Sequence, residues 1–144
     1  MNDDELRKRH TKRSEAGFTL MELIVVMVIL GMLAAVVGPR IYDNLMKGKD
    51  QIAKMQISEL ESALMLFSFD TGRFPSTADG LQALVQNPAG LNSWQGPYLR
   101  KGVPNDPWER PYIYKSPGEH SDFDLCSVGA DGIEGTEDDI CNWK

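Results

Sequence analysis

The chain has 144 residues, a formal net charge of −6 and 42% hydrophobic residues, enough for one modest domain beside an apolar anchor. No Lys/Arg stripe interleaved with aromatics occurs, which argues against nucleic-acid binding. The only histidines are His10 and His120; no Ser/His/Asp or Cys/His set and no phosphate loop after a strand is present, so the sequence does not read as an enzyme.

Residues 1–17 are polar, carry Arg7, Lys8, Arg9, Lys12 and Arg13, and end on Gly17. This net positive leader is expected to stay on the cytoplasmic side. Residues 18–37 then form a 20-residue run in which only Thr19, Glu22 and Gly31 are not plainly apolar, the length a helix needs to cross a bilayer. A secretory signal peptide would have a shorter apolar core and a small-residue cleavage site. Beyond residue 37 the helical pattern continues, with Ile41, Leu45, Ile52, Met55, Leu60, Leu64 and Phe67 on one predicted face. Pro39 predicts a kink at the junction of the two halves. Helix over residues 18–70 would span roughly 80 Å.

Seven of the eight prolines lie after residue 74, so the second half reads as loop-rich. Gly72 and Pro75 end the long helix. Residues 76–79 look like the cap of a short helix over 80–85, with Leu81, Leu84 and Val85 turned inward. Residues 90–111 form a loop anchored by Trp94, Tyr98 and Trp108. Residues 112–115 and 123–128 read as strands, the second alternating and half-buried. The sum is an α+β domain, a long N-terminal helix with a small antiparallel sheet. The organisation is a leader at 1–17, an apolar half-helix at 18–38 and a domain at 39–144.

Glu22 breaks the apolar run, where a charge costs about 2.5–3.5 kcal/mol even on lenient insertion scales. A basic leader, Gly17, Phe18 and an acid four residues further on resemble the type IV prepilin pattern. The resemblance continues through GRFP at 72–75, GLQAL at 80–84, WQGPYL at 94–99, PNDPW at 104–108, PYIY at 111–114 and SVGADG at 127–132. In that order these blocks are similar to those of the major pseudopilins of type II secretion systems. One departure is Glu109, where that family usually has glycine. The resemblance implies a type IV pilin-like fold. It also implies cleavage between Gly17 and Phe18 by a prepilin peptidase, with N-methylation of Phe18. Glu22 would pair with the new ammonium group of a neighbouring subunit, so that neither charge stays unpaired in an apolar core.

Five carboxylates fall within residues 131–139, interrupted by Gly132 and Gly135. Their oxygen-only donors suit calcium rather than zinc or copper, but the spacing is not that of an EF-hand. Read from the residues alone, a solvated acidic loop is the better account of the pattern, because charge runs usually form solvated surface. The resemblance implies one calcium here, on the carboxylates of Asp131, Asp138 and Asp139 and the backbone carbonyls of Val128 and Thr136, with Glu134 and Glu137 adding field. Cys126 and Cys141 flank the loop and, in an oxidising periplasm, are expected to pair.

The function implied is that of a homopolymer subunit of a periplasmic pseudopilus, anchored in the inner membrane before assembly. Its implied partners are minor pseudopilins and the inner-membrane assembly platform. The alternatives are a type IV pilus pilin and a membrane-anchored, calcium-binding periplasmic domain that never polymerises.

Overall fold

The computed structural model describes residues 17–144; the leader, with His10 and its basic cluster, lies outside them. Helix α1 spans Leu20–Thr71, 52 residues, and includes Pro39. The chain divides into two compact units, Met1–Arg40 and Ile41–Lys144. Within the described part of the first unit, every residue of α1 is exposed. This stretch is long and apolar enough to cross a membrane, and none of it is buried in the protein.

In the second unit, α1 turns a stripe of Ala53, Ile57, Leu60, Ala63, Leu64 and Phe67 into the core, spaced by three or four residues as one helix face requires. This corrects the predicted face. Leu60, Leu64 and Phe67 are buried, whereas Ile41, Leu45, Ile52 and Met55 are exposed. The buried stripe lies one position away from Ile52 and begins on alanine. Thr71 closes the last turn, its hydroxyl donating to the Phe67 carbonyl at 2.8 Å, and Gly72 follows at φ 77°, a left-handed stop.

The expected short helix is a 3-10 turn, Leu81–Leu84, with Gly80 and not Ser76 preceding it as the cap. Ser76 and Asp79 instead close their own turn. The Ser76 amide and hydroxyl donate to Asp79 Oδ2 at 3.0 and 2.8 Å, and the Asp79 amide donates back to Ser76 Oγ at 3.1 Å. These bonds from Ser76, with Arg73 beside them, hold the Asp79 carboxyl below its ordinary range. A second 3-10 turn, Pro88–Gly90, follows. Trp94, Tyr98 and Trp108 pack against the core as partly buried anchors. The Trp94 indole donates to the Ala83 carbonyl at 2.9 Å, and the Tyr98 hydroxyl to Asp70 at 2.8 Å.

The sheet has three antiparallel strands in the order β1-β2-β3: Ile113–Lys115, Asp124–Ser127 and Ile140–Cys141. Tyr114 pairs with Leu125, and Cys126 with Cys141. β2 was expected to be half-buried, yet all four of its residues are buried. Its polar side chains are satisfied internally. Asp124 accepts from the Glu119 and His120 amides and lies 3.0 Å from His120 Nδ1. Burial pushes the Asp124 carboxyl up, but these hydrogen bonds outweigh it and leave the group below its ordinary range. β3 is only two residues long and was not foreseen. Asn142 extends its pairing, exchanging bonds with Leu125 through its amide and side-chain oxygen, each at 3.0 Å.

Candidate functional site

Gly17 and Phe18 precede α1 and are exposed, Phe18 by 84%. The helix starts behind Thr19, whose hydroxyl accepts the Glu22 amide at 3.2 Å and whose carbonyl accepts the Leu23 amide at 3.2 Å. Thr19 and Glu22 therefore stand at the two ends of a capping-box spacing. That gives Glu22 a local role, since an acid in the first turn gains about 0.3–1 kcal/mol from the helix dipole. The gain is smaller than the 2.5–3.5 kcal/mol or so of placing a charge in lipid. The local role does not account for the residue.

The acidic loop leaves the end of β2 at buried Val128 and returns at β3. Cys126 and Cys141 form a disulfide between directly paired residues, closing a separation of 15 with Cα atoms 4.1 Å apart. Asp138 sits between two of the other predicted ligand residues. Its Oδ2 accepts the Asp131 amide at 3.0 Å and its Oδ1 the Thr136 hydroxyl at 2.6 Å. These bonds, Thr136 first, hold the Asp138 carboxyl below its ordinary range. Asp131 accepts from the Ile133 amide at 2.8 Å, and Asp139 from the Gly135 amide at 2.7 Å. Among the described residues no group of three or more His, Cys, Asp or Glu is placed to hold a metal ion; Asp131, Asp138 and Asp139 are bonded instead to the loop's own N–H and O–H groups.

The loop oxygens that do converge on a positive charge are carbonyls. Lys144 Nζ donates to the Thr136 carbonyl at 3.2 Å and the Asp139 carbonyl at 3.4 Å. Hard oxygens already turned toward a cation, with an ionised Asp138 linking Asp131 to Thr136, fit the chemistry of a calcium ligand set. Glu134 is directed elsewhere, pairing with Lys115 on β1 at 3.0 Å.

A further cluster was not singled out from the sequence. Asp106, 3% exposed, accepts the amides of Trp108 and Arg110 on Oδ1 at 3.0 and 2.8 Å, and the Ser127 hydroxyl on Oδ2 at 2.6 Å. The Asp-Pro-Trp sequence was the available signal, since an Asp carboxylate commonly accepts the amide two residues on. Glu109 closes this turn at φ 66°, a left-handed conformation costly for any residue but glycine. Burial, with Asp106 nearby, pushes the Tyr112 hydroxyl well up.

A capped apolar helix with an acid in its first turn, continuing into the core of a small α+β unit, is the build of a pilin-like subunit. Residues 12–38 match the prokaryotic N-terminal methylation motif, and residues 40–143 match the model of type II secretion system protein G. The chain belongs to the type II secretion system protein G family. The type II secretion system core protein G of Aeromonas hydrophila is 44% identical over 137 residues, covering 92% of this chain and 95% of the relative. That of Pseudomonas aeruginosa is 44% identical over 138 residues, covering 92% and 97%. The crystal structure of the major pseudopilin of enterohaemorrhagic Escherichia coli superposes with a TM-score of 0.63 at 39% identity, covering 70% of this chain and 87% of that one.

Proposed function

We propose that this type II secretion pseudopilin works by assembly, polymerising from the inner membrane into a periplasmic pseudopilus that helps export folded proteins. The observation that carries this reading is the fully exposed apolar half of α1 with Glu22 in its first turn. Such a surface is covered by lipid before assembly and by neighbouring helices afterwards. A prepilin peptidase would find the Gly17–Phe18 bond in exposed chain ahead of the helix. Glu22 would then meet the Phe18 ammonium of a neighbouring subunit, a pairing that offsets burial of both charges. Minor pseudopilins and an inner-membrane platform would supply the growing end.

Calcium belongs to the same proposal. Asp131, Asp138 and Asp139 would supply carboxylates, and Val128 and Thr136 backbone carbonyls, on a loop fastened at its base by the disulfide. Bound calcium would neutralise the loop's repulsion and stabilise the folded unit by mass action. N-terminal sequencing of the mature protein tests the assembly reading: an N-methylated Phe18 supports it, and an uncut leader rejects it.

A further inference from the structure

We infer that Arg110 is a positioning residue for the acidic loop: its guanidinium holds the limb between Val128 and Asp131 in place ahead of any divalent cation. This rests on the calcium reading above. Arg110 Nη1 donates to the Gly129 carbonyl at 2.7 Å and Nη2 to the Ala130 carbonyl at 3.3 Å. Gly132 lies over the same group, so closely that a Cβ there would come within 2.7 Å of the Arg110 Cζ. One planar fork thus fixes the backbone of a four-residue stretch that contains Asp131 and follows directly on Val128. A lysine ammonium offers the charge but not the fixed two-donor geometry.

Arg110 is itself anchored. Its amide donates to Asp106 Oδ1, and its carbonyl accepts the Asp106 amide at 2.8 Å. The other oxygen of the same buried carboxylate holds Ser127, whose hydroxyl oxygen accepts the Gly129 amide at 3.3 Å. The residues 106–110 turn therefore grips the loop twice, at Gly129 N through Asp106 and Ser127, and at Gly129 and Ala130 O through Arg110. Across the loop, Gly129 lies against the Asp138 backbone and carboxylate, where a Cβ would have no room. Placement of the first limb is thereby passed to the second.

Pre-ordering makes binding tighter because less freedom is lost when the ligand arrives. The opposing effect is charge: Arg110 is positive and repels a second cation nearby. The two effects predict opposite signs, so one measurement separates them. Calorimetric titration of the full chain in detergent with calcium chloride is the test, on the parent, Arg110→Met and Arg110→Lys. The expected result is about tenfold weaker calcium binding in Arg110→Met, equivalent to about 1.4 kcal/mol, with Arg110→Lys in between. Melting temperatures of both forms in chelator are read alongside. A merely structural role would lower the melting temperature equally with and without calcium, whereas positioning narrows the gap between the two. Unchanged or tighter calcium binding in Arg110→Met overturns the inference while leaving the calcium reading intact. A parent chain that takes no calcium overturns both.

Discussion

Reduction of the Cys126–Cys141 bond should destabilise the second unit by an amount that the fold allows to be worked out. The bond closes a separation of 15 residues, which the chain-entropy model converts to about 3 kcal/mol of constraint on the unfolded chain. The folded side has other fasteners for β3. Ile140 is 9% exposed and contributes about 1.5–3 kcal/mol by burial. The two Asn142–Leu125 hydrogen bonds add about 1 kcal/mol each. Reduced protein should therefore still fold, with β3 docked, but melt roughly 10–20 °C lower. The assay is thermal unfolding by circular dichroism of the full chain in detergent, with and without phosphine reductant, the free thiols being counted to confirm reduction. A Cys126→Ala/Cys141→Ala double variant should match the reduced parent. Melting temperatures within two or three degrees of each other, with both thiols shown to be free, would refute the reasoning.

Asp138→Ala should remove the calcium-dependent part of thermal stability, so that melts in calcium and in chelator coincide; a persistent gap would reject Asp138 as a ligand. Glu22→Ala should leave membrane insertion intact and abolish filament assembly and secretion, scored by fractionation and by electron microscopy of sheared fibres. Glu109→Gly should raise stability by about 0.5–1 kcal/mol, since relief of the left-handed strain exceeds the extra entropy of glycine in the unfolded chain; a lower melting temperature would contradict it. Asp79, Asp124 and Asp138 all have carboxyls held below the ordinary value of 3.8 in the folded state. Their contribution is therefore present above that value and lost as pH falls through their folded pKa. Acid unfolding followed by tryptophan fluorescence should shift to higher pH in Asp124→Asn, and an unshifted curve would rule out its hydrogen bonds as a source of acid sensitivity.

The long helix, its end at Gly72 and two of the strands were legible because each rests on local chemistry: periodicity, a left-handed stop and β-forming runs. The exact buried face was not. Ala53 and Ala63 carry too little apolar signal to outvote Ile52 and Met55, and only the approach of the rest of the unit selects them. β3 has two residues and owes its pairing to Asn142 and the disulfide, neither of which appears in a hydropathy pattern. β2 looked alternating because Asp124 and Ser127 are polar, and their burial depends on partners 4 and 21 residues away. The acidic loop could be located from its composition. Its internal bonding, with carboxylates committed to loop amides and Lys144 drawn to two carbonyls, depends on backbone conformation that composition does not encode. Arg110 was invisible for the same reason, its acceptors lying 19 and 20 residues downstream.

Among the described residues, the hydrogen bonds that start α1 lie downstream of the bond a peptidase would cut: Thr19 Oγ1 takes the Glu22 amide and Thr19 O the Leu23 amide. Removal of the leader would therefore leave the first turn its own cap. What changes is electrical. An ammonium group would arrive one residue before the cap, at the positive pole of the helix dipole, where a cation is disfavoured by about 0.3–1 kcal/mol. Cleavage at the Gly17–Phe18 bond would thus turn a neutral peptide junction into a misplaced positive charge, and an isolated cleaved subunit would carry that imbalance until a carboxylate answered it.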